Sequence, residues 1–316
     1  MAHQDHRASW PEIPYEAWKD TCDALHMYAQ IVGKYRLAHT PWLNHSWHAT
    51  LYVTPQGLST GPVPDHGQSI SLLMDLQNHQ LVASSDRSIS KSIALEPMSV
   101  AAFFQQTKQL ITDIGGTPDI HGRPNEVPEP IPFAMDELPR PYDRQAVERF
   151  HTALVSAERV FARFRTGFLG KVSPVHLFWG SFDLAVTRFS GRRAPLHPGG
   201  IPALPDIVTQ EAYSHEVSSA GFWPGGGGVS EAMFYSYAYP VPDKMKTWAV
   251  KPAEARFDTS LGEFLLPYAA VRRADDPEAA LLAFLQSTYE AAAITANWNR
   301  HDLDCDIGRP KIPRQI

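Results

Sequence analysis

Two stretches of the 316-residue sequence carry a histidine and a second titratable group, histidine in one and aspartate in the other, at matching positions. Lys171–Arg193 reads KVSPVHLFWGSFDLAVTRFSGRR, and its first half has a partial copy near the N-terminus. Gly33-Lys34, His39, Trp42, Ser46, Trp47 and His48 align with Gly170-Lys171, His176, Trp179, Ser181, Phe182 and Asp183, with two extra residues in the earlier copy. If Trp179-Gly180 is a tight turn, antiparallel pairing sets His176 beside Asp183 and Phe178 beside Ser181. A four-residue loop from Trp42 to His45 sets His39 beside His48 in the same way. Directly opposed residues stand about 4.5–5.5 Å apart at Cβ. A carboxylate at that range fixes the tautomer of an imidazole and raises its basicity, giving a general base or an oriented metal ligand. His39, His48, His176 and Asp183 would together hold a divalent metal such as zinc or iron if the fold gathers both pairs. The plainer alternatives are two cross-strand hydrogen bonds, or a bulge at Gly180 in one long strand. His45 falls on the opposite strand face and is read as lying outside the set.

A second concentration is Tyr213–Gly228, YSHEVSSAGFWPGGGG, where His215 and Glu216 stand near a glycine run able to move or to approach a ligand closely. With His176 and Asp183 these two are the expected catalytic groups. The segment is not HExxH, because Ser219 occupies the second histidine position, and it is not a P-loop. A third concentration continues the Asp183 strand: Arg188, Arg192 and Arg193 could grip a carboxylate or phosphate bidentately, with Trp223 and Tyr52 as walls of the substrate cleft. A solvated loop is the alternative for the arginines. Lys34 and Lys171 read as helix C-terminal charges. No Gly-x-Ser-x-Gly elbow occurs, and no Gly-x-Gly-x-x-Gly follows a strand, so hydrolase-serine and Rossmann readings are set aside.

These groups must be carried by regular elements. Apolar residues at Trp18, Cys22, Leu25, Tyr28, Ala29 and Val32 predict a helix over 15–32. Strands follow at 35–40, 46–54, 69–76, 80–84 and 88–95, with a loop at 61–67, and Pro97 opens a helix to 114. Residues 117–141 hold seven prolines and read as an extended connector. The second half repeats the plan: a helix over 142–167, strands near 172–178, 181–189, 213–223, 232–239, 254–258 and 263–267, then a helix over 277–293. The expected organisation is an N-terminal repeat over 1–116, the connector, a C-terminal repeat over 142–296 and a tail over 297–316. The fold class is α+β, an internally duplicated helix–antiparallel sheet–helix unit with helices covering one sheet face. Along 181–187, Phe182, Leu184 and Val186 should pack beneath helices, leaving Ser181, Asp183 and Thr187 to line what lies opposite.

Composition narrows the function. Apolar residues at 43% and charged residues at 20% are globular values, and a formal charge of −6 without a basic run argues against nucleic acid. Two cysteines make neither a disulfide framework nor a thiolate zinc cluster, which points to a reducing cytoplasm. No apolar run is long enough for a membrane span or signal core.

Trp10-Pro11 with Tyr15, Trp18 and Thr21, then Asn44-His-Ser-Trp-His48, Gly180–Arg193 and Ser214–Gly225 together resemble a mainly bacterial domain family of unknown function, over about residues 10–298. The resemblance implies a bacterial cytosolic protein and transfers no mechanism. From the residues themselves the expectation is an enzyme acting on a small polar or anionic molecule through a His/Asp/Glu site, with a divalent metal as the cofactor it could use. The alternative is a non-catalytic protein binding a small ligand or a partner in the same cleft.

Overall fold

The computed structural model describes residues 6–226 and 229–314. A short helix α1 (His6–Ser9) and a long one, α2 (Tyr15–His39), precede strands β1 (Tyr52–Val53), β2 (Gly57–Ser59), β3 (Val63–Asp65), β4 (Gln68–Asp75), β5 (Gln80–Ser85), β6 (Ser90–Ala94) and β7 (Met98–Ser99). Helix α3 (Val100–Asp113) closes this half, and β8 (Pro139–Arg140) and α4 (Arg144–Arg165) open the next. Then come β9 (His176–Phe178), β10 (Asp183–Arg193), α5 (Asp206–Ala212), β11 (His215–Trp223), β12 (Met233–Tyr239), β13 (Arg256–Asp258) and β14 (Glu263–Pro267). The chain ends with α6 (Tyr268–Arg273), α7 (Pro277–Thr295) and α8 (Arg300–Leu303).

The expected α+β class is what the chain adopts. One antiparallel sheet runs β1-β2-β4-β5-β6 with β3 on β4; a second runs β13-β14-β12-β11-β10-β9. Their edges meet where Leu51 and Leu177 exchange backbone hydrogen bonds of 2.9 and 2.8 Å. Helix α4 packs on β10 and α7 on β11 and β12, so both helices cover one face of the second sheet. Leu184, Val186, Phe222 and Phe234 point into that layer and join a single apolar core with Leu25 and Tyr28 of α2, Leu72 of β4 and Phe103 of α3. No helix among the described residues is long and apolar enough to cross a membrane.

Helix starts follow local chemistry. Asp143 and Asp276 cap α4 and α7 by accepting from Ala146 N–H and Ala279 N–H at 3.1 and 2.9 Å, and Pro277 occupies the first turn of α7. Helix α3 is capped by Ser99, so it begins at Val100 and not at Pro97.

Helix α2 runs on to His39, through the strand expected at 35–40. Gly33 is not a stop signal. A Cβ there would lie 2.1 Å from the Trp179 indole, so the glycine is an interior residue that lets the ring lie against the helix. Trp47–Thr50 is irregular, and only Tyr52–Val53 of the expected strand at 46–54 pairs as a strand. Within the expected 61–67 loop, Val63–Asp65 forms β3.

The pairing register also differs from expectation. The Trp179–Phe182 loop is four residues long, so Asp183 faces Phe178 and His176 faces Ala185. His39 ends a helix and has no ladder partner opposite His48. The sequence-aligned positions therefore differ locally: Gly33-Lys34 is mid-helix, whereas Gly170-Lys171 follows the end of α4. Each sheet is antiparallel and accompanied by helices, and helix α5 interrupts the strands of the second sheet alone.

Candidate functional site

The second sheet's other face is lined by the side chains that alternate away from α4 and α7. Asp183, Ala185, Thr187 and Phe189 of β10, Val217 and Ser219 of β11, and Tyr235 and Tyr237 of β12 form the floor of a cavity of about 510 Å³. That volume suits a small organic molecule. The walls come from the Trp42–Ala49 segment, the 121–126 part of the proline-rich connector, the Phe178–Ser181 turn and the 201–213 region around α5. Apart from a one-turn 3-10 helix at Phe133–Met135 and β8, the connector carries no regular element. It is fixed by hydrogen bonds, Asn125 N–H to Gln30 Oε1 at 2.8 Å and Glu126 N–H to Pro202 O at 2.9 Å.

Part of the lining is acidic. Asp183 is buried and accepts hydrogen bonds from Ser181 Oγ and Tyr235 Oη. Tyr235 reaches it by crossing Gly221, where any Cβ would lie 2.2 Å from the phenol oxygen. Burial raises the Asp183 carboxyl above its ordinary range, against the two hydroxyl donors that favour the anion. Glu126 lies over Gly180 and lines the cavity. Among the described residues no donor reaches its carboxylate. Burial first, and then the charge of Asp183, push it up to about 7, with Lys34 opposing. Two carboxyls, one held by hydroxyls and one bare, are thus placed beside a common space.

Beside them Lys34 projects from α2 into the wall, its ammonium hydrogen-bonded to Asn125 Oδ1 and 5.0 Å from the centre of the Trp179 ring. A row of hydroxyls crosses the floor: Thr187 bonds Ser219 at 2.9 Å, and Tyr213 bonds Tyr237 at 2.7 Å. At another part of the wall His45 bonds Ala212 O at 2.7 Å and Lys171 Nζ at 2.6 Å, and burial lowers its imidazole. Backbone strain gathers here as well. Of the ten non-glycine residues with positive φ among the described residues, His45, Ser46, Glu126 and Ala203 line the cavity, and Phe182 sits between two lining residues. Left-handed backbone at such residues costs about 1–3 kcal/mol each and concentrates at functional sites.

The expected site residues divide. Asp183 and His48 line the cavity, His48 with Nδ1 3.2 Å from Leu43 N and its ring on Trp42. His176 is fully buried behind Trp47 and Phe178, neither ring nitrogen has a partner, and burial drives it down to about 3, so it is a neutral core imidazole. His39 bonds Thr117 O at 3.1 Å outside the cavity. The four proposed metal ligands are therefore not gathered; among the described residues no group of three His, Cys, Asp or Glu side chains could hold an ion.

His215 lies 6.1 Å from the His45 ring but does not line the cavity. Glu216 points to the helix side and pairs with Arg192 at 2.7 Å and Ser190 Oγ at 2.8 Å. Arg188 is 1% exposed beneath the helices, stacked on Phe164 and Tyr289 at 3.6 and 4.4 Å. Arg192 also donates to Ala296 O at 2.6 Å, and Arg193 is exposed opposite His215 in the ladder. Among the described residues no arginine thus enters the cavity wall. Trp223 and Tyr52 stand outside it too, Tyr52 under the Arg36 guanidinium. Gly225 and Gly226 pack near the Tyr15 ring; Gly227 and Gly228 lie outside the described residues.

Glu126, Lys34, Tyr235 and Tyr237 were not foreseen. Signals existed for all four. A structureless connector of such length inside a compact chain is a functional candidate. Tyr235, Tyr237 and Tyr239 alternate on one strand face, and Lys34 interrupts a helix stretch that is buried all round.

Fold and pocket together define an α+β protein with an aromatic-walled cavity whose lining includes the Asp183 and Glu126 carboxyls. The chain belongs to the family of unknown function DUF5996, whose family model matches residues 10–305. No curated protein and no solved structure matches it.

Proposed function

We propose that this protein is an enzyme performing acid–base chemistry on a small molecule held in the cavity, with Glu126 as the proton donor and acceptor and Asp183 as the hydroxyl-held carboxyl that partners it. The observation that carries the reading is the pairing of unlike environments in one cavity lining: Asp183 held by two hydroxyl donors, Glu126 with none among the described residues and pushed up to about 7 by burial. Carboxyls whose surroundings separate their roles in this way are a recurring acid–base arrangement. The strained residues around the cavity and the convergence of the 44–48, 180–189 and 217–219 stretches on it give further support.

The lining revises the expected ligand. With no arginine in the wall, an anion clamp has little basis, and the aromatic and aliphatic residues favour a mainly apolar body bearing a polar reacting group. Metal assistance is not part of the proposal, because the donors do not converge. A cytoplasmic location accords with the free thiols of Cys22 and Cys305.

Incubating the purified protein with a soluble small-molecule cell extract, followed over time by mass spectrometry, tests the reading. The expected result is time-dependent loss of at least one compound with appearance of a product, slowed by ~10²-fold or more in Glu126→Gln. A compound retained at one per chain and recovered unchanged would instead establish the non-catalytic binding role.

A further inference from the structure

We propose that Lys34 is a covalent centre of this cavity and forms an imine with an aldehyde or ketone substrate; the inference rests on the acid–base reading above and supplies its substrate class. All nine lysines fall among the described residues, and Lys34 alone is buried, at 1% exposure. It nevertheless lines the cavity. Its polar contact is one amide oxygen, that of Asn125, and it stands by the Trp179 ring; among the described residues no carboxylate stands within ion-pair distance. A lysine needed only as a structural charge would be expected to meet a carboxylate at such burial. The apolar surroundings push the amine down to about 8, which enlarges the neutral, nucleophilic share near pH 7.

The neighbouring groups fit the steps. The Lys34 nitrogen lone pair forms the C–N bond as the carbonyl π pair moves to oxygen, and one nitrogen proton transfers to that oxygen to give a carbinolamine. Glu126, still part-protonated at neutral pH, gives its proton to the hydroxyl; the C–O bond breaks, water leaves, and an iminium faces the carboxylate just formed. The Asp183 carboxyl, held by Ser181 and Tyr235, lies in the same lining. Hydrolysis runs the same steps backwards and needs only water. Phe178 and Phe189 give the rest of the substrate an apolar surface.

Full-length protein is treated with benzaldehyde, and separately with pyruvate, in the presence of sodium cyanoborohydride, then analysed by intact mass and peptide mapping. The expected result is one reduced adduct per chain with either probe, on the Lys34 peptide, formed at least ten-fold faster than on any other lysine peptide and absent from Lys34→Met. The wild-type map alone decides the matter if that variant fails to fold. Adducts spread over the exposed lysines with Lys34 last, or no adduct at all, would overturn the proposal. Turnover that depends on Glu126 without a Lys34 adduct would remove the covalent step and leave the acid–base reading standing.

Discussion

At the residue scale the cavity is governed by the cost of keeping charge out of water. Glu126 has a folded-state pKa raised from the ordinary 4.5 to about 7. A raised value means that the folded protein holds the proton more tightly than the unfolded chain. The associated stability is fully present below pH 4.5 and is lost as pH rises through about 7. The shift corresponds to about 3 kcal/mol at most. Glu126→Gln should therefore melt near the wild type at low pH and above it at pH 8, read from thermal unfolding at both. A difference that does not change with pH would show that Glu126 does not titrate as argued.

At the element scale the site depends on how closely α2 meets the Phe178–Ser181 turn. Gly33→Ala adds helix propensity of about 0.5–1 kcal/mol. The same methyl would fall 2.1 Å from the Trp179 indole, and overpacking costs about 1–3 kcal/mol. The clash should win. We expect a net loss of stability in chemical denaturation, together with altered tryptophan fluorescence as Trp179 leaves Ala49 O. A stabilised variant with unchanged fluorescence would mean the contact is looser than described. Helix α2 thus acts as a wall of the site, presenting Lys34 and holding the turn through His26, which bonds Gly180 O at 2.8 Å.

At the scale of the whole molecule the halves are joined by one core, by the Leu51–Leu177 bridge and by a connector packed across the second sheet. The cavity draws residues from both halves and from the connector between them. Unfolding should accordingly be cooperative. Calorimetry is expected to record a single transition, and a fragment covering 142–296 alone should lack a sharp one. Two well-separated transitions in the intact chain would instead mark 1–116 and 142–296 as independent units.

Local pattern in the sequence determined the elements and, in places, their faces. The capped start of α7, the β4–β5 hairpin and the alternation that turns Asp183 and Thr187 away from the helices are all readable from neighbours a few residues apart. Such signals are short-range, because periodicity and capping act within a few residues. The helix expected over 15–32 stopped short of Gly33 because the ring that glycine accommodates is far along the chain, and the histidine pairing failed because one loop is two residues longer than the tight turn assumed. The composition of the site was decided by tertiary structure: Lys34 meets Asn125, Glu126 lies over Gly180, and Tyr235 crosses Gly221 to Asp183. Those contacts form only when the core closes, since burial and long-range packing, and not local preference, select which polar groups share the space that remains.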